Sequence, residues 1–127
     1  MAYKVFISST FKDIDLARDL AHRLESAGIR VNSVDKGAVS GASIPIKITR
    51  ELSHADEVFV ILTDESVNSS SLMFEIGAAA SLRKRITPVV VGLEPSEVPS
   101  LIKKLKYIKY PDLGRYIADL AKRAKAA

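Results

Sequence analysis

The chain has no cysteine and no tryptophan, and only two histidines in 127 residues. Without cysteine there is no disulfide, no thiol nucleophile and no cysteine-built zinc site, which fits a reducing compartment. His22 and His54 have no ligand spacing to one another, so surface or packing roles are expected and metal catalysis is not. No apolar run approaches the roughly 18 residues of a membrane span, and Met1-Ala2-Tyr3-Lys4 lacks the basic and long apolar regions of a signal peptide. A cytoplasmic protein with no membrane partner is the expectation. No Gly-x-Gly-x-x-Gly follows the first apolar run and there is no Walker loop. A tightly held dinucleotide cofactor or a nucleotide triphosphatase therefore has no motif behind it.

The remaining composition is that of one globular domain, expected over residues 1–127, with 47% hydrophobic residues to build a core. The net charge of +4 is unevenly placed: residues 1–64 carry 8 basic and 9 acidic side chains, residues 65–127 carry 11 and 6. Arg83-Lys84-Arg85 and Lys103-Lys104-Leu105-Lys106 hold much of the excess. Neither run is interleaved with stacking aromatics, so they read as solvated helix ends that complement the macrodipole, and nucleic acid is not expected as a partner.

Strand and helix signals alternate along the chain. Val5-Phe6-Ile7 is a short strand signal, and Ile14, Ala17, Leu20, Ala21, Leu24 and Ala27 recur at helical spacing up to Gly28, the expected stop. Thr10 to Asp13 has the shape of an acidic capping box for that helix. A second strand is predicted over Arg30–Val34, followed by the Gly- and Ser-rich loop 35–43. A helix then begins near Ser43, with Ile44, Ile48 and Leu52 inward. Glu57–Leu62 and Ile86–Val91 are nearly continuous apolar and β-branched runs, as suits strands covered on both faces. Between them a helix is predicted from about Leu72 to Arg83. After Gly92 the pattern is weak, with a short edge strand near Tyr107–Lys109 and a last helix from Leu113 through Leu120. The fold class is α/β: a flavodoxin-like doubly wound sandwich, a five-stranded parallel sheet with helices on both faces.

In such sheets ligands bind beyond the carboxyl ends of the strands, near the switch in strand order. That places Ser8–Thr10, Asp35, Thr63, Asp64 and Ser69–Ser71 on one edge. Glu75 is the only acid between Glu65 and Glu94, near the predicted start of a small, apolar helix. Two readings stand: compensation of the helix dipole, or a lone carboxylate that stabilises positive charge developing on a sugar. The serines serve as helix caps or, with a general base beside them, as nucleophiles; no nucleophile elbow surrounds them.

Val5-Phe6-Ile7-Ser8-Ser9 with Asp13, the strand ending at Asp35, the loop with Gly41 and Ile44, then Ser69, Glu75 and Pro88 together resemble a Toll/interleukin-receptor (TIR) domain. The resemblance spans essentially the whole chain, and Phe-Ile-Ser-Ser-Thr-Phe followed by Asp13 is similar to the prokaryotic TIR-like type. It implies either an assembly module or an enzyme of signalling or defence that cleaves NAD between nicotinamide and ribose. Glu75 would then be catalytic, with NAD as substrate rather than cofactor. Ser9, Thr10 and Phe11 would line the pocket, Asp35 and the Gly41 loop would close over the substrate, and Ser69 would bind it at the start of the Glu75 helix. The implied partners are further copies of the domain, associating through loop 36–45, and a sensor domain or partner protein that supplies the activating signal. Two positions depart from the family pattern: Ser71 stands where many members have tryptophan, and Ser9 where an aromatic residue is frequent. Phe74-Glu75-Ile76-Gly77-Ala78-Ala79 also resembles the glutamate motif of nucleoside deoxyribosyltransferases and related nucleotide N-glycosidases. The open alternatives are thus NAD cleavage, cleavage of another nucleotide's glycosidic bond, and a non-enzymatic scaffold.

Overall fold

A computed structural model describes residues 3–33 and 52–126. Asp35, Gly41 and loop 36–45 lie outside the described residues. The strands are β1 (Lys4–Ser8), β2 (Arg30–Ser33), β3 (Glu57–Leu62), β4 (Arg85–Val90) and β5 (Ile108–Lys109), and the labelled helices are α1 (Ile14–Ser26), α2 (Ser70–Ser81), α3 (Ser100–Lys104) and α4 (Leu113–Ala126). All strand pairs are parallel, in the order β2-β1-β3-β4-β5. The order reverses between β1 and β3, so the crevice for a ligand is expected at their carboxyl ends.

Side chains alternate across the sheet and build two cores. Phe6, Val58, Val60 and Leu62 pack with Leu72, Ile76 and Ala79 of α2 and Ile102 of α3. Val5, Ile7, Phe59 and Ile61 face the other way, against Ala17, Leu20 and Leu24 of α1 and Leu113, Ile117 and Leu120 of α4. β3 is buried at every position, which explains its apolar run from Val58 to Leu62. Each fully enclosed Leu, Ile or Phe contributes about 1.5–3 kcal/mol, so these layers supply most of the drive to fold. Pro88 pairs with Val60, at a level where β5, which begins opposite Val89, has not yet joined. A strand tolerates a residue without N–H where one side is still an edge.

The ends of α1 and α2 close alike. Ile29 N donates to Leu24 O and Gly28 N to Glu25 O, with Gly28 left-handed at φ 85°. Lys84 N donates to Ala79 O and Arg83 N to Ala80 O, with Arg83 left-handed at φ 57°. Both are Schellman closures; the second is made without glycine.

The capping box expected from Thr10 to Asp13 does not form. Phe11–Asp13 is a 3-10 turn, and neither Thr10 nor Asp13 makes a side-chain cap bond, because the Asp13 carboxylate is turned inward to another partner. The weakly patterned stretch after Gly92 contains a 3-10 turn at Pro95–Glu97, where Glu94 N donates to Glu97 Oε1 at 2.9 Å, and then α3. The last helix runs past Leu120 to Ala126, since the added residues are alanine, lysine and arginine, all strong helix formers. Among the described residues no helix is long and apolar enough to cross a membrane.

Candidate active site

α2 begins at Ser70, two residues before the expected start, because Ser69 caps it: Ser69 Oγ accepts from Leu72 N at 3.2 Å. Glu75 therefore lies in the second turn, and the first turn has no acid. The dipole reading of Glu75 fails on this point, since that effect fades within the first turn. Instead Glu75 belongs to the buried stripe Leu72, Glu75, Ile76, Ala79, the side of α2 that packs on the sheet. Its exposure is 0%. A carboxylate set among core residues is costly to bury, and this one lies toward the edge at which sheets of this type bind ligands.

The loop between β1 and α1 approaches the same edge. Ser8 and Ser9 are buried and Thr10 is half-buried, whereas Phe11 is 73% exposed. Asp13 anchors the loop. Thr63 Oγ1 lies 3.1 Å from each Asp13 carboxylate oxygen, and Thr10 Oγ1 lies 3.5 Å from Oδ2. Thr63 is held in turn by Ser66: Thr63 N donates to Ser66 Oγ at 2.9 Å, and Glu65 N donates to Thr63 Oγ1 at 3.2 Å. One hydroxyl at the end of β3 thus ties the β1–α1 loop to the β3–α2 loop. This tie was not legible as such: Asp13 has the sequence position of a cap, and the contact spans 50 residues.

Of the expected site residues, the fold gathers Glu75, Ser9 and Thr10 at one edge. It gives Ser69 a capping role and leaves Phe11 exposed. Ser71 is exposed, while His22 and His54 lie on the surface. A separate open groove of about 530 Å³, with Tyr107, Lys109, Arg115 and Tyr116 in its lining, runs between β5 and α4 and shares no residue with this constellation.

A second buried carboxylate stands at the amino end of β3. Glu57, also 0% exposed, accepts from Tyr3 Oη at 2.7 Å on one oxygen and from the hydroxyls of Thr87 and Tyr116 on the other. Tyr116 meets Phe59 edge to face at 5.8 Å and lies under the Arg123 guanidinium. Burial, and then the hydrogen bond to Glu57, push the Tyr3 and Tyr116 phenols above their ordinary range.

Residues 5–123 match the TIR domain family, and the chain belongs to it. Among solved structures it is similar to the TIR domain of the Toll-related receptor TRR-2 from Hydra magnipapillata (TM-score 0.74, 18% identity, covering 95% of this chain and 99% of that one). It is also similar to a prokaryotic SEFIR domain (TM-score 0.69, 18% identity, 95% and 91%) and to the CMP N-glycosidase BcmB of Clostridium botulinum (TM-score 0.65, 23% identity, 92% and 96%). At these identities the likeness is one of fold. No curated protein sequence matches the chain.

Proposed function

We propose that this TIR domain cleaves NAD at the bond between nicotinamide and ribose, with Glu75 as the catalytic carboxylate. The observation that carries the reading is the position of Glu75: wholly buried, on the sheet-facing stripe of α2, at the edge where the strand order reverses. Nicotinamide in NAD is a cationic ring. When its bond to the ribose C1′ breaks, the electron pair goes to the ring nitrogen and the base leaves neutral, so no general acid is required. The positive charge passes to the ribosyl carbon and ring oxygen. A carboxylate in a low-dielectric site stabilises that charge far better than water does. Capture by water yields ADP-ribose and one proton; capture by a group within the substrate yields a cyclic product, and by another base, an exchanged dinucleotide.

The enclosure of Glu75 accords with a site that opens on self-association, with further copies of the domain, a sensor domain or a partner protein as the trigger. A second reading, cleavage of a nucleotide such as CMP, draws support from the fold likeness to a CMP N-glycosidase with over nine-tenths of both chains covered. The same carboxylate would serve, but a neutral pyrimidine needs a proton as it leaves.

Incubation of concentrated protein with NAD and with CMP, followed by chromatography of the released bases, tests both. Nicotinamide release that Glu75→Gln abolishes is the expected result. Cytosine release alone promotes the second reading. Self-association with no base released from either substrate leaves a scaffold and ends the enzymatic reading.

A further inference from the structure

We propose that Ser8 is a substrate-contacting residue of this site, its hydroxyl making a hydrogen bond to a ribose hydroxyl of the nucleotide held at Glu75; this rests on the N-glycosidase reading. Strand alternation sends Val5 and Ile7 to the α1 and α4 layer and Phe6 to the α2 layer. Ser8 therefore faces α2, as does Val60, its partner in register on β3. Ser8 stands level with a residue two short of the end of β3, about 7 Å inside the sheet edge. Glu75 is five residues into α2, about 7.5 Å from the helix start. The two belong to the same layer, on the carboxyl side of the sheet.

Ser8 is 1% exposed, yet among the described residues no group hydrogen-bonds its Oγ. The other serines of this edge contrast with it. Ser66, 0% exposed, accepts from Thr63 N, and Ser69 caps α2. A buried hydroxyl without a partner carries a desolvation penalty that an aliphatic side chain would avoid, and valine suits a strand better. The hydroxyl gains a use when a polar ligand enters the layer. A ribose offers hydroxyls that both donate and accept, matching the single rotatable O–H of serine. The contact exists in the ground state as well as the transition state, so its loss raises KM more than it lowers kcat.

Calorimetric titration with ADP-ribose and with ribose 5-phosphate, the products of NAD and of CMP cleavage, from each of which the leaving base is already gone, reads binding without turnover. Ser8→Ala is expected to weaken binding of the recognised ligand about ten-fold, the value of one hydrogen bond to a sugar hydroxyl, while its Tm stays at or above that of the wild type. Folded Ser8→Ala with wild-type affinity overturns the proposal and leaves the role of Glu75 standing where the wild type releases base and Glu75→Gln does not. A marked fall in Tm also overturns it, since the hydroxyl would then serve the fold. Wild-type protein that binds neither ligand and releases no base overturns both readings together.

Discussion

Glu57 and Glu75 have no exposed surface, but they sit at opposite edges of the sheet and on opposite faces. Glu57 opens β3 on the side of α1 and α4; Glu75 lies under α2 at the carboxyl edge. Glu57 has a fixed cage of three hydroxyls from Tyr3, Thr87 and Tyr116, drawn from β4, α4 and the approach to β1. Such a carboxylate is a clamp: its charge is spent on groups that the fold brings together. Glu75 occupies the edge at which α/β sheets bind ligands, beside a loop held by the Asp13–Thr63 contact. Burial alone therefore does not mark a functional acid. The edge on which each acid lies, and the groups around it, separate the two positions.

The comparison breaks if the two glutamates exchange their phenotypes. Glu75→Gln is expected to lower base release by about a thousand-fold, as loss of a charge that stabilises a cationic transition state does, with thermal unfolding little changed. Glu57→Ala is expected to do the reverse, removing about 3 kcal/mol of stability in urea titrations, because it leaves a cavity and three hydroxyls short of an acceptor. Thr63→Val tests the tie between the two loops at the carboxyl edge. It strips Asp13 of the nearer of its two hydroxyl donors and should cost about 1–3 kcal/mol, with a larger proportional loss of turnover than Glu57→Ala causes at temperatures where both are folded.

The Glu57 cage also predicts a pH response. Tyr3 and Tyr116 are raised in the folded state above the 10.0 of a free phenol, so their protonated forms favour folding. That contribution is complete below about pH 10 and declines as the unfolded chain begins to lose phenolic protons above it. Urea midpoints between pH 8 and 11.5 should show this fall, shallower in Tyr3→Phe; a slope unaltered by that substitution would detach the phenol from the clamp. The smallest effect is at the other end of α2. Arg83→Gly relieves the left-handed residue and should stabilise by up to about 1 kcal/mol, with base release unchanged if only the carboxyl edge matters.

Much of this arrangement was legible in the chain. β3 announced itself by an unbroken apolar run, α1 by its periodicity and its Gly28 stop, and Glu75 by its isolation among small residues. The start of α2 was displaced because any of three consecutive serines can cap, and only the chain's path chose Ser69. Asp13 resembled a cap because local spacing carries no information about a threonine 50 residues away. Ser8 and Ser9 look equivalent in sequence, and strand alternation turns Ser8 toward α2.

The order of apolar runs, helical periods and turn residues determined by itself that this chain forms a parallel α/β sheet, since those signals depend on neighbours a few residues apart. It also singled out Glu75 as a carboxylate in need of a reason. Only the tertiary structure decided which buried acid lies at the amino edge of the sheet, among three hydroxyls, and which at the carboxyl edge. Hydroxyl donors to Glu57 come from positions 3, 87 and 116, and no local pattern records that three such distant segments meet.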